Sequence, residues 1–245
     1  MTPSNPRNPP SRIDFERPLV TVDVAIFAVR DARLQVLLSR RRRQPGEPFP
    51  DRWALPGGFV DVARDADLEA CAMRKLREKT GIATPYLEQL GSWGSAVRDP
   101  RGWSTTHAYF ALVAADEIEA PHPGANAADA AWHDIAASGV RETLAFDHGE
   151  ILAAALERLR AKVEYTSLPA FLLPKEFTLT ELQKAYETVL GRALEKSAFR
   201  TRILATELLV PTARVRQGPN RPALLYRLKS RRLPIFFQRT FKPAE

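Results

Sequence analysis

The chain has 245 residues, with 36 lysines and arginines against 29 acidic residues, 20 prolines, one cysteine and 44% apolar content, enough for one or two globular domains. The lone Cys71 excludes a disulfide framework and a cysteine-built zinc site, and no apolar run approaches the roughly 18 residues of a membrane-crossing helix. The net charge of +7 is unevenly shared: residues 1–150 hold 18 basic and 21 acidic side chains, net −3, and the other 95 hold 18 and 8, net +10, so the second segment is expected to face a polyanion.

Met1 to Pro18 carries five prolines and no apolar core, so it reads as a disordered Pro-rich tail and not as a signal peptide, and a cytoplasmic protein is expected. From Leu19 to Ser39 the apolar residues alternate (Val20, Val22, Val24, Ile26), cross Asp31 and resume at Leu34, Val36, Leu37 and Leu38, which predicts a strand pair. An Arg, Pro and Gly loop leads to Trp53-Ala54-Leu55-Pro56-Gly57-Gly58-Phe59-Val60. A helix is predicted from about Asp67 to Thr80, where Leu68, Cys71, Ala72 and Leu76 fall at helical spacing and Gly81 stands ready to stop it. Strands are predicted over Ala108 to Val113 and around Trp132, and an amphipathic helix begins near His148. Residues 19–150 therefore read as an α/β or α+β sandwich.

The stretch from Gly58 to Ile82, with Leu-Pro-Gly-Gly before it, resembles a Nudix box: a glycine, a glutamate after five residues, and after seven more Arg-Glu, an apolar residue, a free position, Glu-Glu, a free position and Gly. In that motif acidic side chains on one helical face hold Mg²⁺ against a diphosphate. Arg74 and Glu78 match, but Lys75 and Lys79 stand at the ligand positions on either side of Glu78. Ala66 stands where the early glutamate belongs, and Gly58 to Arg74 is two residues longer than the family spacing. One carboxylate flanked by two ammonium groups is a poor cation site, so metal-assisted hydrolysis is expected to be lost or severely reduced. Lys75 and Lys79 are also the only lysines in the first 150 residues. They are read as point charges that attract a nucleotide diphosphate without cleaving it.

The expected pocket adds Arg41 at a strand end and the backbone of Gly57 and Gly58, which can approach a phosphate closely for want of a Cβ. Phe59 lies beside them. Asp99-Pro100-Arg101-Gly102-Trp103 reads as a turn before the strand that carries Tyr109. It resembles a segment of the regulatory and ADP-ribose-binding Nudix members, with Trp103 placed to stack on a base or else to pack. Tyr109 completes the set.

Residues 151–168 read as a connecting helix, and Pro169 and Pro174 mark a break. Thr178 with Glu181 opens a capping box, and the helix it starts ends at Gly191. A second helix, about Glu195 to Leu208, buries Phe199 and Ile203 and shows Lys196, Ser197, Arg200 and Thr201, with Arg202 beside them, to DNA. Val210 to Val215 and Leu224 to Leu228 then read as a hairpin around Arg214, Arg216, Gln217, Gly218, Asn220 and Arg221. That order predicts a winged helix-turn-helix domain over 169–245.

A Nudix-like α/β/α sandwich followed by a basic winged helix resembles the Nudix-related transcriptional regulators of NAD metabolism. The resemblance implies a homodimeric repressor of genes of NAD synthesis or salvage. It would bind palindromic double-stranded operator DNA and be released by ADP-ribose or a related nucleotide, with no cofactor and no membrane partner. One alternative is an active ADP-ribose pyrophosphatase with a basic appendage, in which Glu78 joins Asp61, Asp65 or Glu69 in a residual Mg²⁺ site. Another is a nucleotide-binding module acting only through protein partners.

Overall fold

The computed structural model describes residues 16–81, 86–118, 127–136, 139–217, 222–231 and 233–237. Most of the expected N-terminal tail, residues 1–15, lies outside them. Strands β1 (Leu19–Arg30) and β2 (Arg33–Arg41) form a hairpin whose turn residues Asp31 and Ala32 both have positive φ, 49° and 57°, the twist that suits a two-residue loop. Alternation along β1 divides its side chains between two cores: Val22, Val24, Ile26 and Ala28 on one face, Ala25 and Phe27 on the other.

The short strands β3 (Trp53–Ala54) and β4 (Gly57–Phe59) follow, then α1 (Leu68–Thr80), β5 (Tyr86–Ser95), β6 (Ser104–Leu112), β7 (Ala127–Asp134) and α2 (His148–Val163). The sheet runs β3-β2-β1-β6-β5, with β4 added to β1 and β7 to β2. β1 and β6 are parallel and the remaining pairs antiparallel. α1 covers one face through Cys71, Ala72 and Leu76, and α2 the other through Ile151, Leu152, Ala155 and Leu159, which makes the expected α/β/α sandwich. Asp67 caps α1 by accepting from the Ala70 amide at 2.7 Å, and Gly81 ends it. β5 was not anticipated. Gly91 and Gly94 and a bulge near Leu90 interrupt its alternation, so its sequence carries no clear period of two.

The second half contains a 3-10 turn at Leu168–Leu172, then β8 (Phe177–Thr178), α3 (Leu179–Leu190), α4 (Lys196–Ala205), β9 (Leu209–Arg216) and β10 (Ala223–Leu228), the last two pairing with β8 in the order β8-β10-β9. The capping box forms: Thr178 Oγ1 accepts from the Glu181 amide at 3.2 Å, and the Thr178 amide donates to Glu181 at 2.7 Å. Two helices and a basic hairpin on a small sheet are a winged helix. No described helix is long and apolar enough to cross a membrane.

One hydrophobic core passes through both halves. It runs from Phe27 and Phe110 in the sheet, through Leu156 and Leu159 of α2, to Leu168, Phe171, Leu182, Tyr186, Phe199, Ile203 and Leu228. Tyr86 of β5 meets Phe171 with ring centroids 5.5 Å apart. All four tryptophans precede residue 150, so their fluorescence reports the first half alone. Phe171→Ala should cost about 3–5 kcal/mol. It should lower the denaturant midpoint read by tryptophan fluorescence as much as that read by far-UV circular dichroism.

Candidate functional site

A charged side chain interrupts the apolar run of β1. Asp23 is 5% exposed, and its carboxylate is enclosed by groups from three distant segments. Thr106 Oγ1 of β6 donates to it at 2.7 Å, His148 Nε2 at the start of α2 lies 3.4 Å away, and Arg98 Nη2 lies 3.9 Å away. The Leu55 amide donates to His148 Nδ1 at 2.9 Å, which puts the ring hydrogen on Nε2, facing Asp23. Arg98 turns its fork onto Asp147, with both bonds at 2.8 Å. Burial alone would raise the Asp23 carboxyl, but His148, the Thr106 hydrogen bond and Arg98 outweigh it and hold the group below its ordinary range. Gly57 closes the cage. A Cβ there would stand 1.9 Å from Asp23 Oδ1, so no side chain fits.

Above this cage lies a cavity of about 250 Å³, lined among others by Arg41, Gly57, Gly58, Phe59, Lys79, Arg98, Arg101 and His148. Asp23, Arg98, Arg101 and His148 were not anticipated as site residues. The signal for Asp23 was available, as a lone charge within an apolar strand. The Asp99 to Trp103 turn is present, but Arg101 is the residue it delivers: its guanidinium is forked on Asp99 and lies 5.1 Å over the Phe59 ring. Trp103 lies outside this cavity, half exposed against Gly94 of β5. Tyr109 is also elsewhere, because its register opposite Val24 turns it into the core beneath α1. Arg41 lines the cavity, donates to the Pro48 carbonyl at 2.7 Å and pairs with Glu47 at 2.5 Å.

On α1, Lys75 and Lys79 are both buried, 7% and 5% exposed. Gly58, at φ 143°, leaves room for the Lys75 ammonium, which a Cβ would meet at 3.0 Å. Lys79 faces the cavity. Burial, together with the charges of Lys75 and Arg42, pushes its amine down to about 8, and Glu78 opposes the shift.

Arg74 and Glu78 stand outside the cavity lining, and Asp65, Asp67 and Glu78 are each engaged by a partner within the loop and helix. Asp65 gives its carboxylate to Arg74 (2.6 and 2.5 Å) and to the Asp61 amide (2.8 Å), and the Arg74 hydrogen bonds hold it well below the usual carboxylate range. Glu78 pairs with Arg74 at 3.1 Å, and Asp67 caps α1. Asp65, one residue before the position that spacing gives to the early glutamate, thus ties the loop to Arg74. Among the described residues no three His, Cys, Asp or Glu side chains are grouped to hold a metal. Cys71, buried beside Asp65, has its thiol pushed up to about 12.

In the winged helix, Lys196, Ser197 and Thr201 of α4 are exposed, Arg200 is half-buried with its Nε unbonded, and Phe199 and Ile203 are buried. Arg202 departs from expectation. One position before Ile203, it turns back to donate to the Glu164 carbonyl at 2.8 Å and lies 5.0 Å over the Phe237 ring. Arg214 pairs with Glu176 at 2.9 Å, and Arg216 pairs with Glu181, the capping-box glutamate. Exposed pairs of this kind are worth about 0–1 kcal/mol, so both arginines are free to exchange carboxylate for phosphate. Gln217 is exposed, and Asn220 and Arg221 lie outside the described residues. A wider cavity of about 990 Å³ opens beside α4 between Glu164, Tyr186 and Phe237.

Residues 19–155 match the NUDIX domain family, and residues 169–228 match the NrtR DNA-binding winged helix domain. The chain is 47% identical over 216 residues to an ADPR-responsive transcriptional repressor, NtrR, of Acinetobacter baylyi, a match spanning 87% of this chain and 83% of that one. It is similar to the crystal structure of Shewanella oneidensis NrtR complexed with a 27mer DNA, at TM-score 0.77 and 39% identity, covering 86% of this chain and 93% of that one. It is also similar to the NUDIX domain of the same protein complexed with ADP-ribose, at TM-score 0.53 and 41% identity, covering 59% and 90%.

The charge on Lys79 depends on pH within the working range. Its folded value of about 8 lies below the ordinary 10.5, so the cavity carries this ammonium well below pH 8 and loses it as pH rises through 8. Pyrophosphate or nucleotide diphosphate binding, followed by calorimetry, should weaken from pH 7 to 9 with proton uptake in that window. Without ligand the fold should gain stability between about pH 8 and 10.5, where the unfolded chain binds the extra proton. Lys79→Arg should flatten both profiles.

Proposed function

The chain belongs to the Nudix family, among the members that end in an NrtR winged-helix DNA-binding domain, and on that footing we propose that it is a homodimeric transcriptional repressor released from operator DNA by ADP-ribose. The observation that carries the reading is the change of sign on α1. Where the motif has metal-binding carboxylates, this chain has Lys75 against the Gly58 backbone and Lys79 in the cavity, while Asp65 and Glu78 are committed to Arg74. Such a pocket attracts a diphosphate through ammonium and guanidinium groups and needs no divalent ion to do so. We read the protein as a sensor without catalytic turnover, acting in the cytoplasm on genes of NAD synthesis or salvage. The A. baylyi repressor is described as ADPR-responsive, and the Shewanella protein was crystallised with DNA and, as its NUDIX domain, with ADP-ribose; both support the assignment of partners.

Gly57, Gly58, Arg41, Arg101 and Lys79 are proposed to take the diphosphate and its riboses, with Phe59 as the aromatic neighbour. On the DNA side, Lys196, Ser197, Arg200 and Thr201 are proposed to enter the major groove. Arg214 and Arg216 are proposed to exchange Glu176 and Glu181 for backbone phosphates.

A mobility shift with the DNA upstream of its own gene tests the reading. A retarded complex should form and should dissociate when ADP-ribose is added. Arg200→Ala and Arg216→Ala should each weaken it, and Arg216→Ala should also reduce the slope of log affinity against log salt by roughly one phosphate contact. Release of AMP from ADP-ribose and Mg²⁺ at on the order of 1 per second or faster would replace the sensor with a pyrophosphatase.

A further inference from the structure

The cavity over Asp23 measures about 250 Å³, smaller than the roughly 300–1,000 Å³ of most small-molecule sites. A ligand with a base, two riboses and a diphosphate exceeds that volume, so it either extends through the open side of the cavity or displaces part of the wall. The strained part of the wall is Phe146, which packs on Phe49 behind it. Both have φ of 54°, a left-handed conformation that bulky residues hold only when their surroundings impose it, and their rings meet edge to face at 4.8 Å. The Arg41 guanidinium lies 4.7 Å over the Phe146 ring. A phosphate that draws Arg41 toward itself therefore removes one of the contacts that hold Phe146 in place.

Phe146 leads directly into Asp147, gripped by Arg98, and His148, held between Asp23 and the Leu55 amide. These residues begin α2, a helix roughly 24 Å long at 1.5 Å per residue. Toward its other end, Lys162 and Arg158 fasten it to Glu88 of β5 at 2.5 and 3.1 Å. In the same region Arg160 donates to the Val189 carbonyl of α3 at 3.2 Å, and Glu164 receives Arg202 of α4. The helix is thus tied to the pocket at its first turn, anchored near its last, and bonded there to both helices of the DNA-binding half.

We propose that Phe146, Asp147 and His148 are the link through which an occupied pocket is felt by the DNA-binding half. Ligand entry displaces Phe146, the first turn of α2 follows, and the helix tilts about its anchor on Glu88, carrying α3 and α4 with it. The required difference in ligand affinity between two states comes from Arg41, which faces Phe146 in one and phosphate in the other. The proposal rests on the reading of this cavity as the ADP-ribose site.

Asp147→Asn in the full chain tests it. The Asp147 carboxylate touches Arg98, makes no helix-cap bond and does not line the cavity, so ADP-ribose affinity by calorimetry should be retained. Affinity for DNA from upstream of its own gene, followed by fluorescence anisotropy, should fall on addition of ADP-ribose by the roughly 5–150-fold usual for coupled sites in the wild type, and by less than about 2-fold in the variant. If the variant binds ADP-ribose and is still released as the wild type is, the link is wrong. If the wild type binds no ADP-ribose, the pocket reading fails and the link with it, a result visible before any DNA is added. Should circular dichroism show Asp147→Asn unfolded, Arg160→Gln breaks the chain at its other end and is held to the same two criteria.

Discussion

A carboxylate buried in the middle of a strand must be paired, because water no longer compensates its charge. Asp23 recruits its partners from far along the chain: Thr106 from the parallel strand, Arg98 from beyond β5, and His148 from the first turn of α2. Gly57 contributes by having no side chain, which lets β4 close over the carboxylate. Satisfying one charge therefore gathers the glycine turn, the Asp99 to Arg101 turn and the start of α2 at a single place. The cationic cavity sits where those segments converge.

The charge pattern on α1 is altered while its framework is kept. Arg74 still pins the loop before the helix, using Asp65 as partner, and the glycine turn still approaches the helix closely enough to need Gly58. On the helix itself, the departure from the motif is the sign of the two positions on either side of Glu78. A carboxylate set repels phosphate until a cation arrives, whereas buried ammonium groups attract it directly, at the cost of their own desolvation. The depressed value of Lys79 records that cost. Cys71, packed beneath the same loop with its thiol pushed up to about 12, stays protonated and is a poor nucleophile.

Local chemistry was legible in the sequence. Asp67 and Gly81 bound α1, Thr178 and Glu181 form the capping box, and the basic hairpin falls within the expected segments, because caps and turns depend on residues a few positions apart. Long-range geometry was much less so. Nothing adjacent to Asp23 announces Thr106 or His148, more than 80 residues away. Trp103 and Arg101 stand two apart, and only the register of β6 and the Asp99 fork decide which one lines the cavity. Arg202 shares a helix with Arg200, yet the end of α2 claims it. β5 escaped notice because two glycines and a bulge erase its alternation.

The core that passes from the sheet through α2 into α3 and α4 bears on how such a protein can be rebuilt. A DNA-binding module on a flexible tether can be exchanged for another without regard to what precedes it. Here Phe171 rests on Tyr86, and Leu168, Leu182 and Leu228 belong to the same packed cluster as Phe27 and Phe110. Transplanting residues 169–228 onto a foreign sensor would uncover apolar surface on both sides of the cut. In this architecture any redesign of the DNA-binding half has to keep to its exposed positions, leaving the inner faces untouched.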